Sequence, residues 1–375
     1  MAQRILISVT SDLTTDQRVN RTATTLKEAG YRVLVIGRLL KTSTESSPKR
    51  YRTLRFKLWA EKGPLFYAFF NIRLFWFLIW HHADILVSND LDTLPANFLA
   101  AKLKKIPLVY DSHEYFTGVP ELSNRPRTQR IWKRIEKICL PNADHAITVN
   151  HSIAKIYKQE YDKSFEVIRN VPITTKPFLK DRSSLRTELG LPQDKNIIIL
   201  QGAGINIDRG AEELVEAMSY LSNYLLLIVG SGDVLPKLKK LVVTNNLKQN
   251  VSFIPKQPID ILRKYTAAAN LGITLDKDSN INYKYSLPNK IFDYIHAGIP
   301  VLASDLPEIS KIVTQYNIGK ICPDHNPKTI AKYIKEMLQA EDEMKIWEKN
   351  TTFAAKELNW DKEKEKLLAI FKKIG

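Results

Sequence analysis

Short runs of β-branched and aliphatic residues alternate with longer amphipathic stretches along the first half of the chain. The short runs are typical of buried strands, and the stretches have the three-to-four-residue apolar spacing of helices. The predicted strands are Ile5–Val9, Val33–Gly37, Ile85–Ser88, Leu108–Tyr110, Ala146–Val149 and Val167–Arg169. The predicted helices are Asp16–Ala29, Leu94–Leu103, Arg127–Ile138 and Ser152–Gln159. Thr14 and Gln17 have the spacing of a capping box, and Gly30 is expected to end the first helix.

The second half repeats this alternation. Its predicted strands are Asn196–Leu200, Leu225–Val229, Val251–Ile254, Leu271–Leu275 and Val301–Ala303. Its predicted helices are Gly210–Leu221, Val234–Asn245, Asp260–Ala268 and Asn289–Ala297. Strands that alternate with helices of this length favour parallel β-α-β units. The sequence therefore predicts an α/β protein with two doubly wound, Rossmann-like domains facing a deep cleft.

The proline-rich and charged segment Pro172–Pro192 is expected to link the two domains, which are placed at residues 1–175 and 176–354. The charged stretch Glu341–Lys373 is helical in pattern, with spaced apolar anchors that include Trp347 and Phe371. From the pattern alone, these helices either cap the second domain or return to the first. The prediction adopted here packs residues 355–375 on the first domain.

Composition narrows the class of protein. The 375 residues are 44% hydrophobic and 26% charged, which indicates a globular chain rather than a disordered or fibrous one. The N-terminal residues run directly into a predicted strand without the apolar core of a secretory signal. Cys139 and Cys322 are too few and too far apart for a disulfide framework, and no cysteine or histidine spacing indicates zinc. A cytoplasmic location is expected.

The chain carries 56 Lys and Arg against 40 Asp and Glu, a net charge of +16. Such an excess favours a phosphate-bearing partner: a nucleotide ligand, an anionic membrane or a nucleic acid. The apolar run Leu65–Trp80 is shorter than the roughly 20 residues of a membrane span, so it is either a core helix or a membrane-facing one. The neighbouring basic segments Lys49–Lys57 and 125–137 fit an interface with anionic lipid, or are simply solvated.

Five of the fourteen glycines cluster in two loops of the second half. Gln201–Gly210 lies between a strand and a helix, where glycine lets the backbone approach a ligand closely. Arg209 opposes the dipole at that helix start, which makes sense if it holds an anion; the alternative is a tight turn with a solvated arginine. Val229–Val234 is a similar turn, in which Asp233 is a candidate helix cap. Neither loop has the full G-x-G-x-x-G spacing of a dinucleotide site, and no Walker A loop is present.

The segment Tyr285–Pro300 carries the strongest chemical signal. Pro288 and Asn289 suit the start of a helix, whose free N–H groups can hold a phosphate. Lys290 adds a cation in the first turn, and Asp293 lies one turn later on nearly the same face, where it could accept hydrogen bonds from a ribose. A purely structural helix would not explain Lys290 in a position that opposes the dipole.

Several segments resemble one known family. Ser286–Tyr294 with Ala297–Asp305 is similar to the donor-site segment of retaining glycosyltransferases with the GT-B fold, family 4. Asn89–Pro95, Tyr110–Glu114 and Arg169–Pro172 resemble landmarks of that family's first domain. Two positions depart from the family pattern. Tyr285 stands where the earlier of two acidic residues is usual, and Ala203 stands where the first of two basic residues is usual.

The resemblance implies a nucleotide-diphosphate sugar as donor, bound mainly by the second domain, with no metal or other cofactor. It assigns catalytic roles to His113, Arg209 and Lys290. It assigns contacts with the donor to the following residues: Gly202, Gly204, Gly230, Gly232, Pro255, Leu287, Pro288, Asn289 and Asp293. It makes Asp16, Arg18, Asn89 and Asp90 the candidate contacts with the acceptor.

The function expected from the resemblance is sugar transfer with retention at the anomeric carbon, by same-face attack with the donor phosphate as base. The acceptor would be a hydroxyl of a glycan or a lipid-linked molecule in surface polysaccharide synthesis. The enzyme would be cytoplasmic, with the inner face of the plasma membrane as a candidate peripheral location. A nucleotide-sugar epimerase of the same fold is an alternative, as is a basic nucleic-acid-binding protein, although no nucleic-acid-binding signature is present. No nucleic-acid partner is expected.

Overall fold

The structure is a computed structural model that describes residues 2–14, 16–43, 48–123, 125–174 and 181–374. The chain forms two compact units. Unit 1 consists of Met1–Asn170 with Lys362–Gly375, and unit 2 consists of Val171–Asp361. The chain therefore passes from one unit to the other at residues 170/171 and 361/362, where the sequence suggested 175/176 and 354/355.

Unit 1 is built on one parallel sheet with the strand order β3-β2-β1-β4-β5-β6-β7. The strands are β1 (Arg4–Ser8), β2 (Arg32–Leu39), β3 (Arg52–Lys57), β4 (Ile85–Asn89), β5 (Leu108–Ser112), β6 (His145–Thr148) and β7 (Glu166–Val167). The helices are α1 (Gln17–Glu28), α2 (Gly63–Trp80), α3 (Leu94–Lys104), α4 (Pro120–Ser123), α5 (Pro126–Cys139) and α6 (His151–Tyr161). The reversal of strand order beside β1 is the doubly wound pattern that the sequence predicted.

Two strands of unit 1 differ from the prediction. The basic segment Lys49–Lys57 contains the edge strand β3, which pairs in parallel with β2. Its apolar signal is weak because only Leu54 and Phe56 are large and apolar, and three of its six residues are basic. The predicted strand Val167–Arg169 is reduced to the two residues of β7.

The first helix is capped differently from the prediction. The Asp16 carboxylate accepts hydrogen bonds from Val19 N at 3.1 Å and from the Ser11 hydroxyl at 2.9 Å, so Asp16 caps α1. Thr14 instead donates its hydroxyl to Asp12, and the predicted capping box was wrong. Gly30 follows the helix with φ +96°, a conformation that L side chains rarely adopt, so the predicted glycine stop is confirmed.

Unit 2 contains a six-stranded parallel sheet with the order β10-β9-β8-β11-β12-β13. The strands are β8 (Asn196–Gly202), β9 (Tyr224–Gly230), β10 (Val251–Pro255), β11 (Leu271–Thr274), β12 (Val301–Ser304) and β13 (Gly319–Cys322). The helices are α7 (Arg182–Leu189), α8 (Ala211–Ala217), α9 (Leu235–Thr244), α10 (Ile259–Ala268), α11 (Ile281–Lys284), α12 (Asn289–Ala297), α13 (Pro307–Tyr316), α14 (Pro327–Gln339), α15 (Glu341–Glu357) and α16 (Trp360–Ile374), the last of which belongs to unit 1 from Lys362.

The predicted linker contains structure of its own. Helix α7 lies inside Pro172–Pro192, and Arg186 on this helix donates to the Ala268 carbonyl and to Asn270, which ties the helix to unit 2. Residues 175–180 of the predicted linker lie outside the described residues. Charged residues on a short amphipathic helix gave the segment the composition of a linker.

The two C-terminal helices belong to different units. Trp347 of α15 is buried in the core of unit 2. On α16, Phe371 meets Tyr31 edge to face at 6.2 Å, and Glu363 accepts a hydrogen bond from Arg169 N at 3.0 Å. The pattern left open whether these helices cap the second domain or return to the first. Helix α15 does the former, and α16 does the latter from Lys362.

Candidate functional site

The candidate site of unit 2 forms where β8, β9 and β11 end. Parallel strands bring their carboxyl ends to one edge of the sheet, which is where ligands bind in open α/β sheets. The loop after β8 contains Arg209, and Asp276 follows β11 by two residues. Lys290 lies in the first turn of α12, one residue after the helix begins.

Arg209 and Lys290 converge on the carboxylate of Asp276. Arg209 Nη1 lies 3.1 Å from Asp276 Oδ1, and Lys290 Nζ lies 3.4 Å from Asp276 Oδ2. The Asp276 side chain is fully buried, and Thr274 also donates its hydroxyl to Oδ2 at 3.1 Å. The Arg209 guanidinium lies 4.0 Å from the ring centre of Tyr283, which fixes its plane. The sequence predicted that these two cations act together, and the structure brings them to one carboxylate.

The charges of this cluster do not cancel. Burial alone would raise the pKa of Asp276, but Lys290 and Arg209 hold it below its usual value, so the group is ionised. Burial lowers the pKa of Lys290. Burial would likewise lower the pKa of Arg209, but Asp276 raises it. Two cations against one carboxylate leave an excess of one positive charge in a largely buried place, which favours an anionic ligand.

The glycines of the two loops divide into two groups. A Cβ on Gly230 would lie 1.8 Å from the Gly202 carbonyl oxygen, and a Cβ on Gly232 would lie 2.0 Å from the Ile205 carbonyl oxygen. Gly210, with φ +70°, is packed equally tightly against Leu275. These three glycines are therefore required by contact between backbones. Gly204 is exposed, and an added Cβ would make only ordinary contact with the Asn206 side chain, at 3.6 Å.

The other predicted donor residues lie around the same strand ends. Pro288 is the N-cap of α12, and no side chain accepts a hydrogen bond from the first N–H groups of this helix. Asn289 is exposed and Leu287 is half-buried against the core, whereas Pro255 is exposed at the end of β10. Asp293 accepts a hydrogen bond from Gln201 Nε2 at 3.0 Å, which places it beside the end of β8.

Asp233 does not cap the helix that follows it. Helix α9 begins after Val234 and has no side-chain cap, whereas the Asp233 carboxylate accepts a hydrogen bond from Ile207 N at 3.2 Å. Asp233 therefore joins the two glycine-containing loops to each other. The predicted cap was wrong because the loop after β8 folds back within reach of Asp233.

Unit 1 has a second polar cluster at the ends of β4 and β5, centred on His113. His113 Nδ1 lies 3.2 Å from Asp90 Oδ2, and Nε2 lies 3.2 Å from Asn89 Oδ1. His113 N also donates to Asp90 Oδ1 at 2.8 Å. Asp111 Oδ2 lies 3.6 Å from Nε2 and is joined to Arg18 by an ion pair of 2.6 Å. The sequence predicted His113, Asp90, Asn89 and Arg18, and the structure brings all four together.

This cluster holds His113 in its charged form. Burial alone would lower the pKa of His113, but the carboxylates of Asp90 and Asp111 raise it to about 9. Burial raises the pKa of Asp90 despite the attraction of His113. Burial would also raise the pKa of Asp111, but Arg18 and His113 hold it well below its usual range. Both ring nitrogens of His113 face acceptors, so the side chain acts as a fixed cation at neutral pH.

Arg18 is buried at the base of this cluster. Its guanidinium donates to both carboxylate oxygens of Asp111 and to the Ile168 carbonyl, and the residue is 4% exposed. The Asp16 carboxylate is likewise occupied, as the N-cap of α1. These contacts give both residues positioning roles within unit 1, and a direct contact of either with an acceptor stays a prediction.

Three acidic residues were not singled out by the sequence analysis: Asp111 and Asp276 of these clusters, and Asp92, which accepts a hydrogen bond from the Thr10 hydroxyl. Asp111 lies in β5, and Asp276 follows β11 by two residues, directly after the predicted strand Leu271–Leu275. A carboxylate at the carboxyl end of a central strand was therefore the available signal. Within the described ranges, no group of three or more His, Cys, Asp or Glu side chains is arranged to hold a metal ion.

Comparison with known families agrees with this architecture. Residues 16–172 match the family model described as Glycosyltransferase Family 4, and residues 181–352 match the model described as Glycosyl transferases group 1. Together with the two Rossmann-like units of parallel sheets, these matches identify a glycosyltransferase with the GT-B fold. With one model matching each unit, the chain belongs to the glycosyltransferases covered by these two family models.

Solved structures share the fold along nearly the whole chain. Sucrose-phosphate synthase from Thermosynechococcus elongatus superposes with a TM-score of 0.80 at 20% identity, covering 99% of each chain. HepE from Anabaena, solved with UDP and glucose, gives a TM-score of 0.77 at 15% identity, covering 99% of this chain and 100% of HepE.

Curated relatives are glycosyltransferases of different named specificities. A chitobiosyldiphosphodolichol beta-mannosyltransferase from Candida albicans is 23% identical over 70% of this chain. That match spans 62% of the Candida protein's own length. A D-inositol 3-phosphate glycosyltransferase from Jonesia denitrificans is 22% identical, covering 77% of this chain and 72% of the relative.

Proposed function

We propose that this chain transfers a sugar from a nucleotide-diphosphate donor to a hydroxyl of a glycan or lipid-linked acceptor, with retention at the anomeric carbon. The observation that carries the proposal is the pair of cations, Arg209 and Lys290, that share one buried carboxylate in unit 2. Their surplus positive charge matches a diphosphate. The UDP and glucose bound to HepE, a protein of the same fold, support a nucleotide-sugar donor.

Arg209 and Lys290 would act on the leaving group. As the bond between the anomeric carbon and the diphosphate breaks, negative charge develops on the diphosphate oxygens. Preorganised cations in a largely water-free site stabilise such charge strongly, because they need no reorganisation during the reaction. Asp276 holds both side chains in place before the donor arrives, so we assign it a positioning role.

The donor would rest on the loops that end β8 and β9 and on the start of α12. The open face at Gly204 leaves room for close approach of the nucleotide or the diphosphate. The uncapped N–H groups at Asn289 and Lys290 would donate to phosphate oxygens. Asp293, beside Gln201, is in our proposal the acceptor for hydroxyls of the donor.

Unit 1 would contribute His113 as a cation rather than as a base. Both of its ring nitrogens already face acceptors, and its pKa is raised to about 9. The proton of the acceptor hydroxyl would therefore pass to the donor phosphate, as same-face attack requires. We propose that Asn89 and Asp90 orient the acceptor beside this histidine.

The names of two relatives bear on the class of acceptor. The Candida relative is named for transfer to a diphosphodolichol-linked sugar, and the Jonesia relative for transfer to inositol 3-phosphate. We favour a lipid-linked or glycan acceptor in surface polysaccharide synthesis, with the reaction in the cytoplasm. No metal is assigned to the donor site.

The test incubates the purified chain with a panel of UDP-, GDP- and ADP-sugars and with lipid-linked and soluble glycan acceptors. Mass spectrometry detects the product, and nuclear magnetic resonance reads the anomeric configuration of the new bond. We expect one donor to give a product with the configuration of the donor. An inverted product would contradict retention. Release of free sugar equally fast without any acceptor would contradict transfer and favour the epimerase alternative.

A further inference from the structure

Helix α2 is apolar on two opposite faces, and unit 1 covers only one of them. Phe66, Phe70, Leu74 and Leu78 form the buried stripe at intervals of four residues. The opposite stripe is exposed and consists of large apolar side chains: Leu65, Phe69, Ile72, Trp76 and Trp80. Trp76 is 53% exposed and Trp80 is 77% exposed. A soluble helix normally presents polar residues on the face opposite its core, so this face needs a partner.

Helices α2, α3 and α5 cover the same face of the unit 1 sheet. Each makes a crossover in the same direction along the strand order, from β3 to β4, from β4 to β5 and from β5 to β6. Because such crossovers are right-handed, the three helices lie in one layer. Their contacts agree: α3 packs against both α2 and α5, and Tyr67 meets Trp132 edge to face at 5.2 Å. The outward stripe of α2 therefore continues onto exposed Leu99, Leu103, Ile131 and Ile138.

The charge of this layer has one sign. The cations on the three helices are Arg73, Lys102, Lys104, Arg127, Arg130, Lys133, Arg134 and Lys137. The acidic residue among the three helices is Glu136, and it is buried. Arg127, Arg130 and Arg134 are exposed and share the outer face of α5 with Ile131 and Ile138. Lys133 pairs with Glu160 of the neighbouring helix at 3.8 Å. Large apolar side chains beside the exposed arginines of α5 match the acyl boundary and the headgroups of an anionic bilayer.

An open groove lies at one edge of this surface. It has a volume of about 300 Å³ and is lined by Lys57, Leu58, Trp59, Phe69, Ile72 and Arg73. Trp59 is 86% exposed in the loop that follows β3, and its neighbours combine an apolar floor with two cationic side chains. Tryptophan at such a boundary suits the headgroup level of a membrane.

We propose that the outer face of α2, α3 and α5 docks unit 1 on an anionic lipid bilayer. Among the described residues, α2 is the helix long and apolar enough to cross a membrane. Its buried stripe and its place as a crossover between two strands of one sheet require it to lie along the bilayer surface instead. The inference rests on exposure and charge within unit 1 and does not depend on the proposed sugar transfer.

The test is flotation of the purified full chain with vesicles. One set is phosphatidylcholine alone, and the other is phosphatidylcholine and phosphatidylglycerol in a roughly 1:1 ratio. We expect binding to the mixed vesicles that weakens as salt is raised. The pair Phe69→Ser and Trp76→Ser should weaken binding about 10-fold or more, since two deeply inserted aromatic side chains are lost. The triple change Arg127→Gln, Arg130→Gln and Arg134→Gln should weaken it about 100-fold, at about fivefold for each cation.

Matched changes on unit 2 serve as controls. Phe353→Ser removes an aromatic side chain that is 62% exposed, and Lys332→Gln, Lys335→Gln and Lys349→Gln remove three exposed cations. These variants should bind the mixed vesicles like the native chain. Circular dichroism melts confirm that each variant folds.

Four results would overturn the proposal. One is failure of the native chain to float with the mixed vesicles, and a second is equal binding to neutral vesicles. A third is that the unit 1 changes weaken binding no more than the unit 2 changes. The fourth is a dimer, seen by light scattering, that dissociates on Trp76→Ser, which would make the face an interface between two copies of this chain.

Discussion

Arg209 and Lys290, 81 positions apart in the chain, both contact one buried carboxylate, that of Asp276, at 3.1 and 3.4 Å. A single carboxylate cannot neutralise two cations, so the pair keeps the capacity to bind a second anion. A diphosphate, which carries two or more negative charges, is an anion that this pair could bind. The geometry explains why both cations sit where they oppose the helix dipoles.

Replacing Asp276 with asparagine tests its positioning role. The Asp276→Asn variant should lose about 3 kcal/mol of stability, because two buried cations lose their counter-ion. The cognate nucleoside diphosphate should then raise the melting temperature of the variant more than that of the native chain, since it replaces the missing charge. Thermal melts with and without the ligand measure both effects. An equal ligand shift in the two proteins would show that Asp276 does not share the cations with the diphosphate.

Two glycines of the donor loops should respond differently to alanine. Gly232→Ala should destabilise the fold by about 2 kcal/mol or more, since its Cβ would lie 2.0 Å from the Ile205 carbonyl oxygen. Gly204→Ala should change stability by less than about 0.5 kcal/mol. Its methyl group should nevertheless weaken nucleotide binding about 10-fold, because it occupies the face open to the ligand. Chemical denaturation and calorimetric titration check the pair; unaltered nucleotide affinity in Gly204→Ala would place the ligand elsewhere.

The charge on His113 predicts a pH dependence of stability. The pKa of His113 is about 9 in the folded protein, above its ordinary value of 6.5. Its contribution is therefore complete below pH 6.5 and is lost as the pH rises through about 9. His113→Gln should lower the free energy of unfolding by about 3 kcal/mol at pH 6. By pH 10 the variant and the native chain should be nearly equal in stability. A gap that does not depend on pH would contradict a charged His113.

The raised pKa of Asp92 predicts a pH dependence of stability in which the charged form of the group is the unfavourable one. Burial and the Asp90 carboxylate raise the pKa of Asp92 to about 7, and the group accepts a hydrogen bond from the Thr10 hydroxyl at 2.5 Å. The native chain should therefore lose stability from pH 4 to pH 7 as the unfolded state gives up this proton first. The Asp92→Asn variant has no carboxyl group to ionise at this position, so it does not lose this stability. It should be about 2–4 kcal/mol more stable than the native chain at pH 8. At pH 4 the two should be nearly equal, and a constant difference would refute the raised pKa.

The sequence predicted the fold well because parallel, buried strands leave long unbroken apolar runs. It missed β3, an edge strand whose exposed face is basic, and it mistook α7 for linker because a short amphipathic helix has linker-like composition. Arg209 and Lys290 could be predicted because each opposes a helix dipole. Asp276 was missed because a carboxylate after a strand has no local anomaly, and its importance depends on two cations from distant segments.

The binding of nucleoside diphosphates and monophosphates tests the central claim most directly. Calorimetric titration would compare UDP with UMP, GDP with GMP, and ADP with AMP on the native chain, on Arg209→Ala and on Lys290→Ala. Lys264→Ala, which breaks an ion pair with Glu188 elsewhere in unit 2, is the control. In the native chain and the control, the cognate diphosphate should bind about 10-fold or more tightly than its monophosphate, and either cation variant should abolish most of that difference. If both variants keep the full preference for the diphosphate, Arg209 and Lys290 do not hold it.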